Sequence, residues 1–159
     1  MDVAEQRRAA LGCELVADLA NCFGEVRLKV TGASMLPCIW PGDVVVARRV
    51  KPADLRSGHI VLCRRQGELV AHRVTSAHRD LLITRGDILP QHDPLVGASD
   101  IVGRVVCILR NGRRMDPEQS YLQRTVSSIL RRSDFCTRMM LRVGRRLRVP
   151  QRGGMSWVS

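Results

Sequence analysis

The sequence predicts a mainly β domain with one helix before it and one after it. About six short segments between residues 25 and 116 either alternate apolar with polar residues or are apolar throughout, and Gly- and Pro-containing turns separate them. Near both ends of the chain, apolar residues instead recur every three or four positions, which is the helical period. We therefore expect an N-terminal helix (1–24), a compact β domain (25–116), a basic amphipathic helical segment (117–147) and a disordered tail (148–159).

The N-terminal helix follows from its apolar spacing. Leu11, Leu15 and Leu19 recur four residues apart with charged residues on the other side, and Gly24 can end the helix as a C-cap. The strands follow from alternation, as in Val26, Leu28 and Val30, or from short apolar runs. The predicted strands are 26–30, 44–47, 59–64, 69–76, 80–84 and 101–109.

Charge is concentrated in the last third of the chain. Residues 1–109 carry 14 basic and 12 acidic side chains, whereas residues 110–159 carry 12 arginines and three acids, so the net charge of +11 belongs mainly to the C-terminal segment. That segment also has an apolar stripe that includes Leu122, Val126 and Ile129, which predicts a basic amphipathic helix.

The cysteines and the hydropathy pattern exclude several classes. The six cysteines are scattered with no C-x-x-C pair, which disfavours a zinc site and a disulfide framework, and we expect reduced cysteines and no cofactor. No segment reaches the ~18–20 apolar residues of a membrane span, and Glu5, Glu14 and Asp18 interrupt any signal-peptide-like run. We therefore expect a cytoplasmic protein.

Ser34 lies in a turn between Gly32 and Pro37, directly after an alternating strand. A serine hydroxyl becomes a nucleophile when a base takes its proton and donors stabilise the oxyanion. The backbone amide of Ser34 itself is one candidate oxyanion donor.

The candidate base is His72, because it is the histidine that lies in the middle of a predicted strand among apolar neighbours. An imidazole can accept a proton near neutral pH, and a carboxylate usually orients it. Asp87 and Asp93 both lie in the loop 85–94, which is long enough to bring either one back to the sheet. The spacing leaves the choice between them open.

Several segments, taken in order, resemble those of the signal peptidase I family, which shares its fold with the SOS-type self-cleaving repressors. They are the nucleophile box Gly32–Pro37 with Gly42–Val45, the next strand Gly58–Leu62, the base box Leu69–Val74, the acidic box Thr84–Asp93 and the closing strand Ile101–Val105. In that family the base is a lysine in the bacterial housekeeping branch and a histidine in the archaeal and endoplasmic-reticulum branch. The two lysines here, Lys29 and Lys51, lie outside the base strand, so the histidine branch fits.

The resemblance implies a role for each candidate residue. Ser34 would be the nucleophile, His72 the general base, Asp93 the acid that orients His72, and Asp87 a second acid that supports the site. The implied fold is the compact signal-peptidase and SOS-repressor β domain. The implied activity is cleavage of a peptide bond after small residues by a serine endopeptidase.

Two other functions are compatible with the sequence. A self-cleaving regulator would share the fold, but such proteins use a Ser–Lys pair, and no Ala-Gly or Cys-Gly bond precedes Ser34. A non-catalytic domain could bind a partner protein, a membrane surface or nucleic acid through its basic segment. The aromatic content of 3% leaves few rings to stack on bases, which disfavours nucleic acid.

The expected partners follow from these functions. An endopeptidase requires a peptide or protein substrate. The arginine-rich segment 117–147 is suited to anionic lipid at the inner face of the membrane, and its apolar stripe is equally suited to packing on the β domain or on another protein chain.

Overall fold

The computed structural model describes residues 3–79, 81–118 and 155–157, and within these ranges one α-helix precedes an antiparallel sheet. The helix α1 spans Val3–Phe23. The strands are β1 (Glu25–Val30), β2 (Val44–Arg48), β3 (Ile60–Arg65), β4 (Glu68–His78), β5 (Leu81–Arg85), β6 (Val96–Gly97), β7 (Ile101–Arg110), β8 (Arg113–Met115) and β9 (Met155–Trp157). Short 3-10 helices occur at Pro52–Asp54 and Ala98–Asp100.

The strands form one sheet in the order β6-β5-β4-β3-β7-β2-β1-β9, and β8 pairs with the end of β7. Every recorded pairing is antiparallel. The hairpin between β3 and β4 turns at Gln66 and Gly67, both of which have positive φ. Positive φ at both central residues is the requirement of the two-residue type I′ hairpin turn.

The two faces of β3 contact different apolar clusters. Ile60 and Leu62 belong to a cluster that includes Val16 and Ala20 of α1, so the helix covers this face. The alternate residue Val61 belongs to a second cluster on the opposite face. β3 therefore presents one set of side chains to α1 and the alternate set to the opposite face of the sheet.

The mainly β class and the N-terminal helix are confirmed, and the six predicted strands correspond to β1–β5 and β7. The short strands β6 and β8 are additional. A further difference lies in the predicted disordered tail, where residues 155–157 form β9. Strands of two or three residues depend on backbone pairing with a neighbour, so they leave no alternating pattern in the sequence.

The predictions for the C-terminal segment concern residues that lie mostly outside those that the structure describes. The basic amphipathic helix is predicted for 117–147, of which the structure describes only Pro117 and Glu118. The domain boundaries stay predictions. Among the described residues, no helix has the length and apolarity needed to cross a bilayer.

Candidate active site

The turn that carries Ser34 is built at the end of β1. Val30 donates its N–H to the carbonyl of Asp43 at 2.8 Å and accepts from the N–H of Gly42 at 2.7 Å, which fixes the start of the turn against the beginning of β2. Beneath the turn, Ala33 and Leu36 pack with Ile88 in a small buried cluster. Ser34 is thus held between the sheet and the loop that follows β5.

His72 meets Ser34 across 38 residues of sequence. The Nε2 atom of His72 lies 3.0 Å from the Oγ atom of Ser34. His72 pairs directly with Val61 on β3, so its side chain lies on the face away from α1. Only 4% of His72 is exposed, which keeps the ring in a fixed, water-poor position.

Asp93 lies on the other side of the imidazole. Its Oδ2 atom is 2.5 Å from Nδ1 of His72 and accepts a hydrogen bond from the hydroxyl of Thr84 at 2.7 Å. Its Oδ1 atom is paired with the guanidinium of Arg65. The backbone N–H of Asp93 donates to the carbonyl of Thr84 at 2.8 Å, which anchors the loop at the end of β5.

These contacts keep Asp93 ionised. Burial acts to raise the pKa of Asp93, but the hydrogen bonds from Thr84, His72 and Arg65 outweigh it and hold this pKa below its usual value. An ionised Asp93 accepts a hydrogen bond from the N–H at Nδ1 of His72, which leaves Nε2 free to accept the hydroxyl proton of Ser34. The three side chains are therefore arranged for transfer of that proton to the imidazole.

Asp87 lies in a different place from Asp93. Its two carboxylate oxygens accept hydrogen bonds from Nε and Nη2 of Arg73 at 2.8 and 2.7 Å. Arg73 also donates to the carbonyl of Gly58 at 2.9 Å. The structure thus brings together Ser34, His72 and Asp93, whereas Asp87 forms a bidentate ion pair that ties its loop to β4.

The loop 85–89 also contacts the serine backbone. The N–H of Ile88 donates to the carbonyl of Ser34 at 3.2 Å. A Cβ atom placed on Gly86 would lie 2.8 Å from the same carbonyl oxygen, which is closer than real Cβ contacts allow. Glycine is therefore required at position 86 for the loop to approach the carbonyl of Ser34 this closely.

A second ion pair supports the turn from its other end. Asp43 is buried and accepts hydrogen bonds from Nε and Nη2 of Arg110, the shortest of them 2.7 Å long. Arg110 also donates to the carbonyl of Cys38 at 3.0 Å, and the N–H of Trp40 donates to Asp43 at 2.8 Å. These contacts hold residues 38–43 against the end of β7.

Donors for an oxyanion are present near Ser34. Among the described residues, the backbone N–H groups of Ser34 and Met35 donate no hydrogen bond to another group. Free N–H groups beside a serine hydroxyl are the donors that would stabilise a tetrahedral intermediate if that hydroxyl attacked a carbonyl.

Arg65 and Thr84 were not identified from the sequence. The alternation of side chains between the two faces of a strand is the signal that would have identified them. Arg65 is separated from Val61 by an even number of residues, and Val61 pairs with His72. Thr84 pairs with Val74, two residues after His72. Both side chains therefore share a face with the histidine.

A cavity of about 290 Å³ lies elsewhere, between α1 and the sheet. It is lined in part by Asp18, Arg49 and Arg64, and it contains no histidine. The contact between His72 and Ser34 therefore lies outside this cavity.

Within the part of the chain that the structure describes, no group of three or more His, Cys, Asp and Glu residues is placed to hold a metal ion.

The chain matches no protein-family model, and it matches no curated protein.

Proposed function

We propose that this protein is a serine endopeptidase that cleaves a peptide bond through Ser34, His72 and Asp93. The observation that carries the proposal is the continuous hydrogen-bonded series from Ser34 Oγ through both ring nitrogens of His72 to Asp93, with separations of 3.0 and 2.5 Å. Three groups from separate parts of the chain meet in the order that nucleophilic catalysis requires.

The reaction follows from this order. His72 takes the hydroxyl proton of Ser34 as Oγ attacks the carbonyl carbon of the substrate, and the resulting oxyanion is stabilised by the N–H of Ser34. The imidazolium then gives its proton to the departing amine as the peptide C–N bond breaks, which leaves an ester on Ser34. Water, activated by His72, hydrolyses this ester and restores the free hydroxyl.

The resemblance to the signal peptidase I family supports a finer version of the proposal. The fold would be the compact β domain shared with SOS-type repressors, and the substrate would carry a small residue on the acyl side of the cleaved bond. In this proposal Asp87 supports the site by pairing with Arg73 and fixing the loop beside Ser34. Asp87 is then a positioning residue, because the imidazole is oriented by Asp93.

The proposal is tested by labelling and cleavage. We expect Ser34→Ala and His72→Ala each to abolish reaction with a fluorophosphonate probe and cleavage of peptides that contain Ala at the scissile position. Ser76→Ala and His78→Ala are matched controls, because both residues are exposed on β4 and should leave the activity unchanged. Wild-type rates in either site variant would contradict the mechanism, and circular dichroism would verify that the variants are folded.

Contact with anionic lipid is a separate proposal. It depends on the arginines of the predicted helix 117–147, most of which lies outside the described residues. We expect the full chain to float with vesicles that contain phosphatidylserine and to be released at high salt, because surface electrostatic attraction is screened by ions. Failure to float at low salt would contradict this proposal and would leave the catalytic one unaffected.

A further inference from the structure

The outer edge of β1 leads directly to the nucleophile. β1 ends at Val30, and three residues separate Val30 from Ser34. On its inner side β1 pairs with β2, and Val30 directs both its N–H and its C=O to that side, toward Asp43 and Gly42. Backbone groups of successive strand residues point to opposite edges, so those of Lys29 point outward.

An outward-facing strand edge is a template for another extended segment. A peptide added there in the antiparallel direction runs alongside β1 and past the turn that carries Ser34. Residues 31–33, between the strand and the nucleophile, are neither helix nor strand.

The same edge is paired with β9. The register sets Val30 opposite Met155, Lys29 opposite Ser156 and Leu28 opposite Trp157. Because Lys29 directs its backbone groups outward, Ser156 is the residue whose N–H and C=O can pair with them. The pairing is antiparallel, so the N-terminal end of β9 is the end nearer to the serine turn.

We propose that the outer edge of β1 is the docking site for an extended peptide substrate, and that residues 155–157 of the same chain occupy it as an intramolecular competitor. The proposal rests on the endopeptidase function above. Substrate then binds only when β9 leaves the edge, so the C-terminal strand lowers the apparent affinity for substrate without touching the chemical step.

The test uses full-length Ser156→Pro and its matched control Ser156→Ala. Proline removes the N–H that faces Lys29, whereas alanine keeps it. We expect KM for a peptide substrate to fall by about tenfold in the proline variant, with kcat unchanged, because loss of one or two net hydrogen bonds shifts an equilibrium by about this factor. A synthetic peptide of residues 150–159 should inhibit the proline variant competitively.

A second readout is independent of catalysis. In the Ser34→Ala background, amide hydrogen exchange at Lys29 should be faster in Ser156→Pro than in Ser156→Ala, because β9 no longer protects that N–H. Faster exchange at Lys29, together with no cleavage by the protein that retains Ser34, would refute the proposed function and leave β9 docking intact. Unchanged exchange, an unchanged KM in an active enzyme, or cleavage of the chain within residues 150–157 would overturn the competitor role.

Discussion

Replacing Gly86 by Ala should slow the reaction of Ser34 with a probe to a greater extent than it lowers the stability of the fold. The added Cβ would lie 2.8 Å from the carbonyl oxygen of Ser34 and 2.9 Å from Cδ1 of Leu89. The Leu89 side chain can rotate away, but the carbonyl is backbone and is already bonded to the N–H of Ile88 at 3.2 Å. Ordinary contact begins near 3.4 Å, so the Ser34 peptide must move by about 0.6 Å.

The size of the effect follows from that movement. Overpacking of this kind costs about 1–3 kcal/mol of stability. The Oγ atom of Ser34 is 3.0 Å from Nε2 of His72, and a movement of about 0.6 Å away from the ring would lengthen this separation to about 3.6 Å, which is no longer a hydrogen bond. Misplacement by about 1 Å can reduce the catalytic rate by about 10²-fold. We therefore expect Gly86→Ala to slow fluorophosphonate labelling of Ser34 by one to two orders of magnitude.

Two control variants separate this effect from a general loss of stability. Gly103→Ala is equally crowded, because its Cβ would lie 2.6 Å from the carbonyl oxygen of Arg48, but that contact does not involve the serine turn. Gly32→Ala lies in the turn and has no atom within 4 Å of the added Cβ. Urea titration of each variant gives its free energy of unfolding, and labelling is measured where all are folded. Labelling of Gly86→Ala within twofold of wild type, or an equal loss in Gly103→Ala, would refute the reasoning.

Further predictions concern charge and thiol chemistry. The lowered pKa of Asp93 means that its stabilisation is present above the unfolded value of about 3.9 and is lost as pH falls through the folded value. Urea titrations should therefore show Asp93→Asn to be less stable than wild type by about 1–3 kcal/mol at pH 7, with the difference shrinking as pH falls below about 3.9, and a gap independent of pH would be inconsistent with this. Cys22 is exposed, whereas burial raises the pKa of Cys63 to about 12, so mass spectrometry should find iodoacetamide on Cys22 before Cys63; labelling of both at the same rate would contradict this.

The fold was predictable where side-chain patterns are long. Alternation in Val26, Leu28 and Val30 identifies β1, because one face of this strand is buried and the other is exposed. The pairing of β9 with β1 was not predictable, since it depends on backbone hydrogen bonds between an edge strand and a segment more than 100 residues away. The order of strands in the sheet also depends on backbone pairing between distant segments, so it was not predictable either.

The site was predictable in its residue types but only partly in its geometry. Ser34 and His72 stand out because of their local sequence, and the structure brings them to hydrogen-bonding distance. The choice between Asp87 and Asp93 could not be made from spacing, because both lie in one irregular loop. It depends on the bond between the N–H of Asp93 and the carbonyl of Thr84, which places Asp93 beside the end of β5.

The two ion pairs beside the serine turn have a consequence for interpreting kinetics. Arg110 holds the carbonyl of Cys38 on one side, and Arg73 fixes the loop of Asp87 on the other. A guanidinium keeps its charge at every pH at which a protein remains folded. The guanidinium groups of Arg110 and Arg73 therefore keep their charge over the pH range in which a histidine titrates. A pH profile of activity measured over that range should therefore report the protonation of groups other than these two arginines, with the Ser34 turn held in place.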